Sequence, residues 1–121
     1  MSISVLRTAD NWWVKTPSGA ARVDTAATTT AELVRDRAAI DAADSTGEVV
    51  PVESLDLVAP VTAPCRVVAQ MTNFASHVKD SGLNPETIPL TFFRKASGSI
   101  NGPFDDVVKP AHVRLLDYEI E

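Results

Sequence analysis

The sequence predicts an α+β fold that is mainly β. Three features predict it. Over the first two dozen positions, short runs of β-branched and aromatic residues alternate with turn-forming clusters. The longest helix-period stretch opens on a capping-box signature, Thr29-Thr30-Ala31-Glu32. After a proline-marked connection, short extended runs resume and end in Leu115-Leu116-Asp117-Tyr118-Glu119-Ile120-Glu121. That last run alternates, with Leu116, Tyr118 and Ile120 on one face and Asp117, Glu119 and Glu121 on the other, as a half-buried strand requires.

Taken in order, the chain opens as a small β-meander. Residues 3–6 form a strand, Ala9-Asp10-Asn11 turns it, and Trp12-Trp13-Val14 runs back. Pro17-Ser18-Gly19-Ala20 turns again into a third strand, Ala21-Arg22-Val23. Adjacent tryptophans on a strand face opposite sides, so one fills a core and the other meets a second layer or a ligand. A helix over residues 31–43 turns Leu33, Val34, Ala38 and Ile40 inward, and Asp44-Ser45-Thr46-Gly47 ends it. Residues 49–52 are extended. Pro60 and Pro64 bracket a connection that separates two parts of the chain.

The second part starts with a strand over residues 65–69. A short helix over residues 75–81 follows, with Gly82 as its stop. Residues 83–89 are a loop and residues 91–94 a strand. Residues 95–102 read as strand plus turn, and Asn101-Gly102-Pro103 closes them. Val107-Val108 leads through Pro110 to the terminal strand.

Charge and composition narrow the functions. Sixteen acidic against eleven basic residues give a formal net charge of −5, and the bases are scattered. Phosphate backbones need a basic surface, which argues against a nucleic-acid partner. Cys65 is the sole cysteine, so no internal disulfide forms, and it reads as a buried structural thiol. The first residues lack a basic start followed by an apolar core, and no apolar run reaches membrane-spanning length. The expectation is a cytoplasmic protein without a membrane partner.

Three local patterns carry chemistry. His77 and Asp80 stand three apart, on one face of a helical turn; the pair is either a solvated surface couple or an imidazole oriented by a carboxylate as a general base. Glu119 and Glu121 share a strand face with Asp117; they are either solvated or a hard oxygen donor set suited to Mg²⁺, Mn²⁺ or Ca²⁺. Lys95 follows an aromatic strand among small residues; it is either a solvated strand-end lysine or a cation facing an anionic substrate.

In their order along the chain, these segments resemble the fumarylacetoacetate hydrolase family. Asn73-Phe74-Ala75-Ser76-His77-Val78-Lys79-Asp80 resembles its Asn-Tyr-x-x-His-x-x-Glu motif. Pro89-Leu90-Thr91-Phe92-Phe93-Arg94-Lys95-Ala96-Ser97 is similar to its proline, Phe-x-Lys strand and serine. Asp117-Tyr118-Glu119-Ile120-Glu121 matches its Asp-Tyr-Glu-x-Glu strand, and Gly102-Pro103 falls where a Gly-Pro turn is usual. The chain departs at Asp80, where many members carry Glu, and at Phe74 and Phe92, where relatives can have Tyr.

The resemblance implies residues 1–60 as an accessory domain of the kind bacterial members carry. It implies residues 61–121 as the first strands of a mixed β-roll catalytic domain, cut at the metal-binding strand. It covers the front half of a typical member, and the third carboxylate ligand, an Asp, lies downstream. It further implies Glu119 and Glu121 as ligands of Mg²⁺ (or Mn²⁺, Ca²⁺), His77 with Asp80 as the catalytic base, and Lys95 as a substrate contact. The implied reaction is cleavage of the C–C bond of an acylpyruvate or 1,3-diketo acid through a metal-bound enolate. Decarboxylation of an oxo acid, or isomerisation of a 2-hydroxyhepta-2,4-diene-1,7-dioate, uses the same intermediate. The implied partners are a small oxo acid and either a second copy of the chain or a complementing C-terminal chain. The other class of reading is an inactive truncated relative serving as a binding or assembly piece.

Overall fold

The computed structural model describes residues 3–45, 48–72 and 74–116. It is α+β and mainly β: a three-stranded sheet, a two-stranded sheet and three short α-helices. The chain divides into two compact units, Met1–Ala63 with Ile100–Asp106, and Pro64–Ser99 with Val107–Glu121.

The first unit is the expected meander with helices packed on it. Strands β1 (Ser4–Arg7), β2 (Trp12–Thr16) and β3 (Gly19–Arg22) pair antiparallel in that order. The register sets Val14 between Val5 and Ala21, so one face of the sheet collects small and branched apolar side chains. Trp12 is buried on this face, with its indole N–H donating to the Ala27 carbonyl (2.8 Å) and the Arg7 guanidinium over its ring. Trp13 points to the other face, half-buried, and donates to Thr8 Oγ1 (3.3 Å). The strand alternation therefore separates the two tryptophans as expected.

Each edge of the meander carries one isolated bridge. Val58 bridges to Arg7 on the outside of β1, and Val50 exchanges two backbone hydrogen bonds with Ala20 (2.8 and 3.0 Å) outside β3. The bridge to Val50 pairs a single position of the β3 edge. It also explains why β3 starts at Gly19 and not, as the sequence suggested, at Ala21. Gly19 sits at φ +152°, and a Cβ there would lie 2.5 Å from the Val50 carbonyl oxygen. Only glycine admits that approach. Val50 alone makes the extended contact expected of residues 49–52; a 3₁₀ turn, Val52–Ser54, takes over at once.

The expected single helix over residues 31–43 is two helices, α1 (Thr30–Arg35) and α2 (Arg37–Ser45). Asp36 makes the break. Its N–H closes α1 onto the Glu32 and Leu33 carbonyls, while its carboxylate accepts from Ala39 N (3.4 Å) and from Thr25 Oγ1 (2.6 Å). A short acceptor in that place starts a helix as readily as it stops one. The break resets the helical phase. Leu33 and Ile40 point inward as expected, but Val34 is 66% exposed and Ala38 is exposed; Ala43 is buried instead. Trp12, Val14, Ala21, Val23, Leu33, Ile40 and Ala43 form the core of this unit.

The second unit contains β4 (Val67–Met71), α3 (Ala75–Asp80) and β5 (Thr91–Lys95). β4 and β5 pair antiparallel with Ala69 opposite Phe93. β4 starts two residues later than expected, and the strand plus turn expected over residues 95–102 is the end of β5 at Lys95 followed by a 3₁₀ turn, Ser97–Ser99. Gly82 at φ +75° follows α3, as its reading as the helix stop requires. Leu115 and Leu116 are outside any strand, and the remainder of the terminal run, residues 117–121, lies outside the described residues, as does Gly47.

The capping box at α1 is present as read. Thr29 Oγ1 accepts from Glu32 N (3.2 Å), and the Glu32 carboxylate accepts from Thr28 N (2.8 Å), Thr28 Oγ1 (3.0 Å) and Thr29 N (3.0 Å). The hydrogen bonds from Thr28, and then those from Thr29, hold the Glu32 carboxyl below its ordinary value of 4.5. A depressed folded value means that this stabilisation is present above pH 4.5 and is lost as pH falls below it. Urea midpoints of the chain and of Glu32→Gln should therefore differ at neutral pH and converge in acid; a gap independent of pH would refute the assignment.

Candidate functional site

β4 ends at Met71, and Thr72 turns the chain out of the sheet. Thr72 adopts φ +53°, a left-handed conformation that is rare for a β-branched residue and costs about 1–3 kcal/mol. Its hydroxyl donates to the Met71 carbonyl (2.7 Å). Asn73 lies outside the described residues, and α3 begins two positions on, with Phe74 as N-cap and no side chain capping it.

α3 has two faces with different duties. Ala75 and Val78 share one; Val78, at 2% exposure, is the helix's buried anchor. Ala75 and Val78 line a cavity of about 270 Å³ together with Gln70, Met71, Thr72, Pro85, Ile88, Pro89 and Leu90. His77 and Asp80 share the roughly opposite face, and both are exposed. The helix thus brings His77 and Asp80 to one side, as their spacing requires, and keeps them away from the cavity. No residue lining the cavity is charged, and its walls mix the polar Gln70 and Thr72 with apolar side chains. The sequence reading missed this cavity; the two prolines at 85 and 89, which stiffen its outer wall, were the available signal.

Lys95 ends β5 opposite Val67, at the far end of the ribbon from the Met71–Thr91 pair. Phe93 and Lys95, two apart, share a strand face, and the Lys95 ammonium lies 5.4 Å from the Phe93 ring centroid. His77 and Lys95 each hold a partner. Cys65 is half-buried just before β4.

The candidate metal ligands Glu119 and Glu121 lie outside the described residues. Among the described residues, no three His, Cys, Asp or Glu side chains group to hold a metal ion. Among them, too, no helix is long and apolar enough to cross a membrane.

Comparison with known proteins supplies the class. No family model matches the chain, and no solved structure matches it. Curated sequences do. Fumarylacetoacetate hydrolase domain-containing protein 2 of Pongo abelii is 37% identical over 73 residues, 60% of this chain and 23% of the relative. A mitochondrial oxaloacetate tautomerase of Homo sapiens matches with the same identity and coverage. A 2,4-didehydro-3-deoxy-L-rhamnonate hydrolase of a Sphingomonas strain is 39% identical over 62 residues, 51% of this chain and 21% of the relative. The resemblance to the fumarylacetoacetate hydrolase family is borne out by these relatives, and those named for an activity are enzymes. The chain spans about a quarter of the length of the curated relatives it matches.

The two faces of α3 make a stability test. Val78→Ala removes two buried methyl groups and should cost about 2 kcal/mol, while His77→Ala on the exposed face should change stability by about 0.5 kcal/mol or less. Chemical denaturation of the two variants checks this; equal losses would mean that the imidazole, too, is structural.

Proposed function

We propose that the chain forms part of a metal-dependent enzyme that acts on a small oxo acid through its enol form. The observation that carries this reading is the 73-residue stretch shared at 37% identity with an oxaloacetate tautomerase. The exposed His77–Asp80 face of α3 and the terminal carboxylates fit it. Keto–enol interconversion is the simplest outcome, and it needs a base that can take and return a proton beside a carbonyl. Cleavage of the C–C bond of an acylpyruvate or 1,3-diketo acid adds attack by water to the same enolising site. The hydrolase among the relatives supports that second outcome.

The roles divide by chemistry. An imidazole nitrogen of His77 takes the proton, and Asp80, on the same face of α3, orients the ring. Asp80 is one methylene shorter than the Glu of many members, so its hold on the ring is looser. The Lys95 ammonium, lying over Phe93, meets the anionic end of the substrate. Glu119 and Glu121 would hold Mg²⁺ or Mn²⁺, a match of hard oxygen donors to a hard cation. When bound, that ion supplies Lewis-acid polarisation of the substrate's carbonyl.

The test is turnover of oxaloacetate and of an acylpyruvate by the full-length protein, with and without Mg²⁺. His77→Ala should lower kcat by about 100-fold or more, and chelation should abolish turnover. Loss of only a few-fold on His77→Ala would count against the assignment. A non-catalytic assembly role is favoured by one observation, the exposed apolar side chains Val68 (60%) and Phe92 (58%) on one face of the ribbon. On that reading a partner binds with an affinity that ignores Mg²⁺ and survives Glu119→Gln.

A further inference from the structure

Asn101-Gly102 is the dipeptide in which the asparagine side chain is most readily attacked by the following backbone amide, because glycine leaves that nitrogen unshielded. In that reaction the Gly102 nitrogen, having lost its proton, bonds to the Asn101 side-chain carbon. The bond from that carbon to Nδ2 breaks, ammonia leaves, and water then opens the cyclic imide to aspartate or isoaspartate. The segment is exposed, so solvent reaches it.

Three hydrogen bonds converge on this dipeptide. Gly102 N–H donates to Asp105 Oδ2 (2.9 Å). Asn101 Nδ2 donates to the Asp105 carbonyl (3.4 Å) and the Asp106 carbonyl (3.2 Å). The backbone closes the same turn through Asp105 N–H to the Gly102 carbonyl (3.4 Å), with Pro103 at its second position. The carboxylate packs so closely that a Cβ at residue 102 would lie 2.5 Å from Asp105 Oδ2. The carboxylate thus sits directly against the backbone nitrogen of the vulnerable dipeptide.

We propose that Asn101 is a latent deamidation site and that the Asp105 carboxylate suppresses it. The attacking species is an amide anion. A carboxylate that accepts from the neutral N–H, and carries negative charge at contact distance, disfavours that anion by about tenfold or more. The two carbonyls hold the Asn101 carboxamide by its NH₂, which keeps it from swinging onto Gly102 N. Asp105 acts by position and charge, with no part in any substrate chemistry.

The experiment incubates the chain at mildly alkaline pH and follows the amide-to-acid mass change in the peptide containing Asn101. Samples are the folded chain, the chain in concentrated urea, and folded Asp105→Asn and Asp105→Ala. The folded chain should convert about tenfold more slowly than the unfolded one. Asp105→Ala should recover most of that difference, and Asp105→Asn, which keeps an acceptor but no charge, an intermediate part. Circular dichroism verifies that the variants fold. Equal rates in folded and unfolded wild-type chain, or wild-type rates in both variants, would overturn the proposal. The first comparison decides even if a variant fails to fold.

Discussion

A six-residue helix cannot hold itself in water, because nucleating its first turn costs more than so few hydrogen bonds return. α1 is such a helix, and the first unit depends on the exchange that starts it. Thr29 and Glu32 satisfy each other's orphan backbone donors, and Thr28 adds two further bonds to the same carboxylate. Thr30 then ties this start to the far end of the unit: its hydroxyl donates to the Pro60 carbonyl (2.7 Å), and its N–H and the Thr62 N–H reach each other's side-chain oxygens (3.0 and 2.8 Å). With the start fixed from both sides, Leu33, at 1% exposure, is delivered onto the sheet over Val14 and Ala21. Its complete burial is worth about 1.5–3 kcal/mol, more than the helix gains from its own backbone.

The meander and the capping box were legible because each rests on neighbours in sequence. Alternation put Trp12 and Val14 on one face, and Thr-x-x-Glu announced the start of α1 to within one residue. What was not legible depended on residues far apart or on a single side chain with two uses. Gly19 reads locally as a turn glycine, yet its requirement comes from Val50, thirty-one positions on. Asp36 reads locally as one acid on a solvated helical face. It is the residue that ends α1 and opens α2, and so it turns Val34 and Ala38 outward. A periodicity count cannot see a phase reset of that kind.

The site divides along the same line. Spacing alone puts His77 and Asp80 on one face of α3, and the helix does so. Spacing alone says nothing of the opposite face, where Ala75 and Val78 border the cavity. The turn at Thr72 was also invisible, because nothing in a threonine predicts φ +53°. That conformation persists only where surrounding structure over-determines it. Here it leads the chain from the sheet into the helix that carries the candidate base, so the cost falls where the direction of His77 is set.

Positioning a base for proton transfer demands tolerances of about 0.5 Å, held by packed side chains behind it. Ala69 and Val78 are the buried hydrophobic residues described in the second unit, against a ribbon of only two strands. A two-stranded ribbon is marginal by itself. One anchored helix adds the contacts of a single valine. The ribbon meanwhile presents Val68 and Phe92 on one face, diagonal across the strand pair and more than half exposed. Covering that face would bury apolar area and stiffen β4 and β5 together. On the proposed function, a base at His77 is aimed by α3, a helix whose buried anchor is Val78 alone.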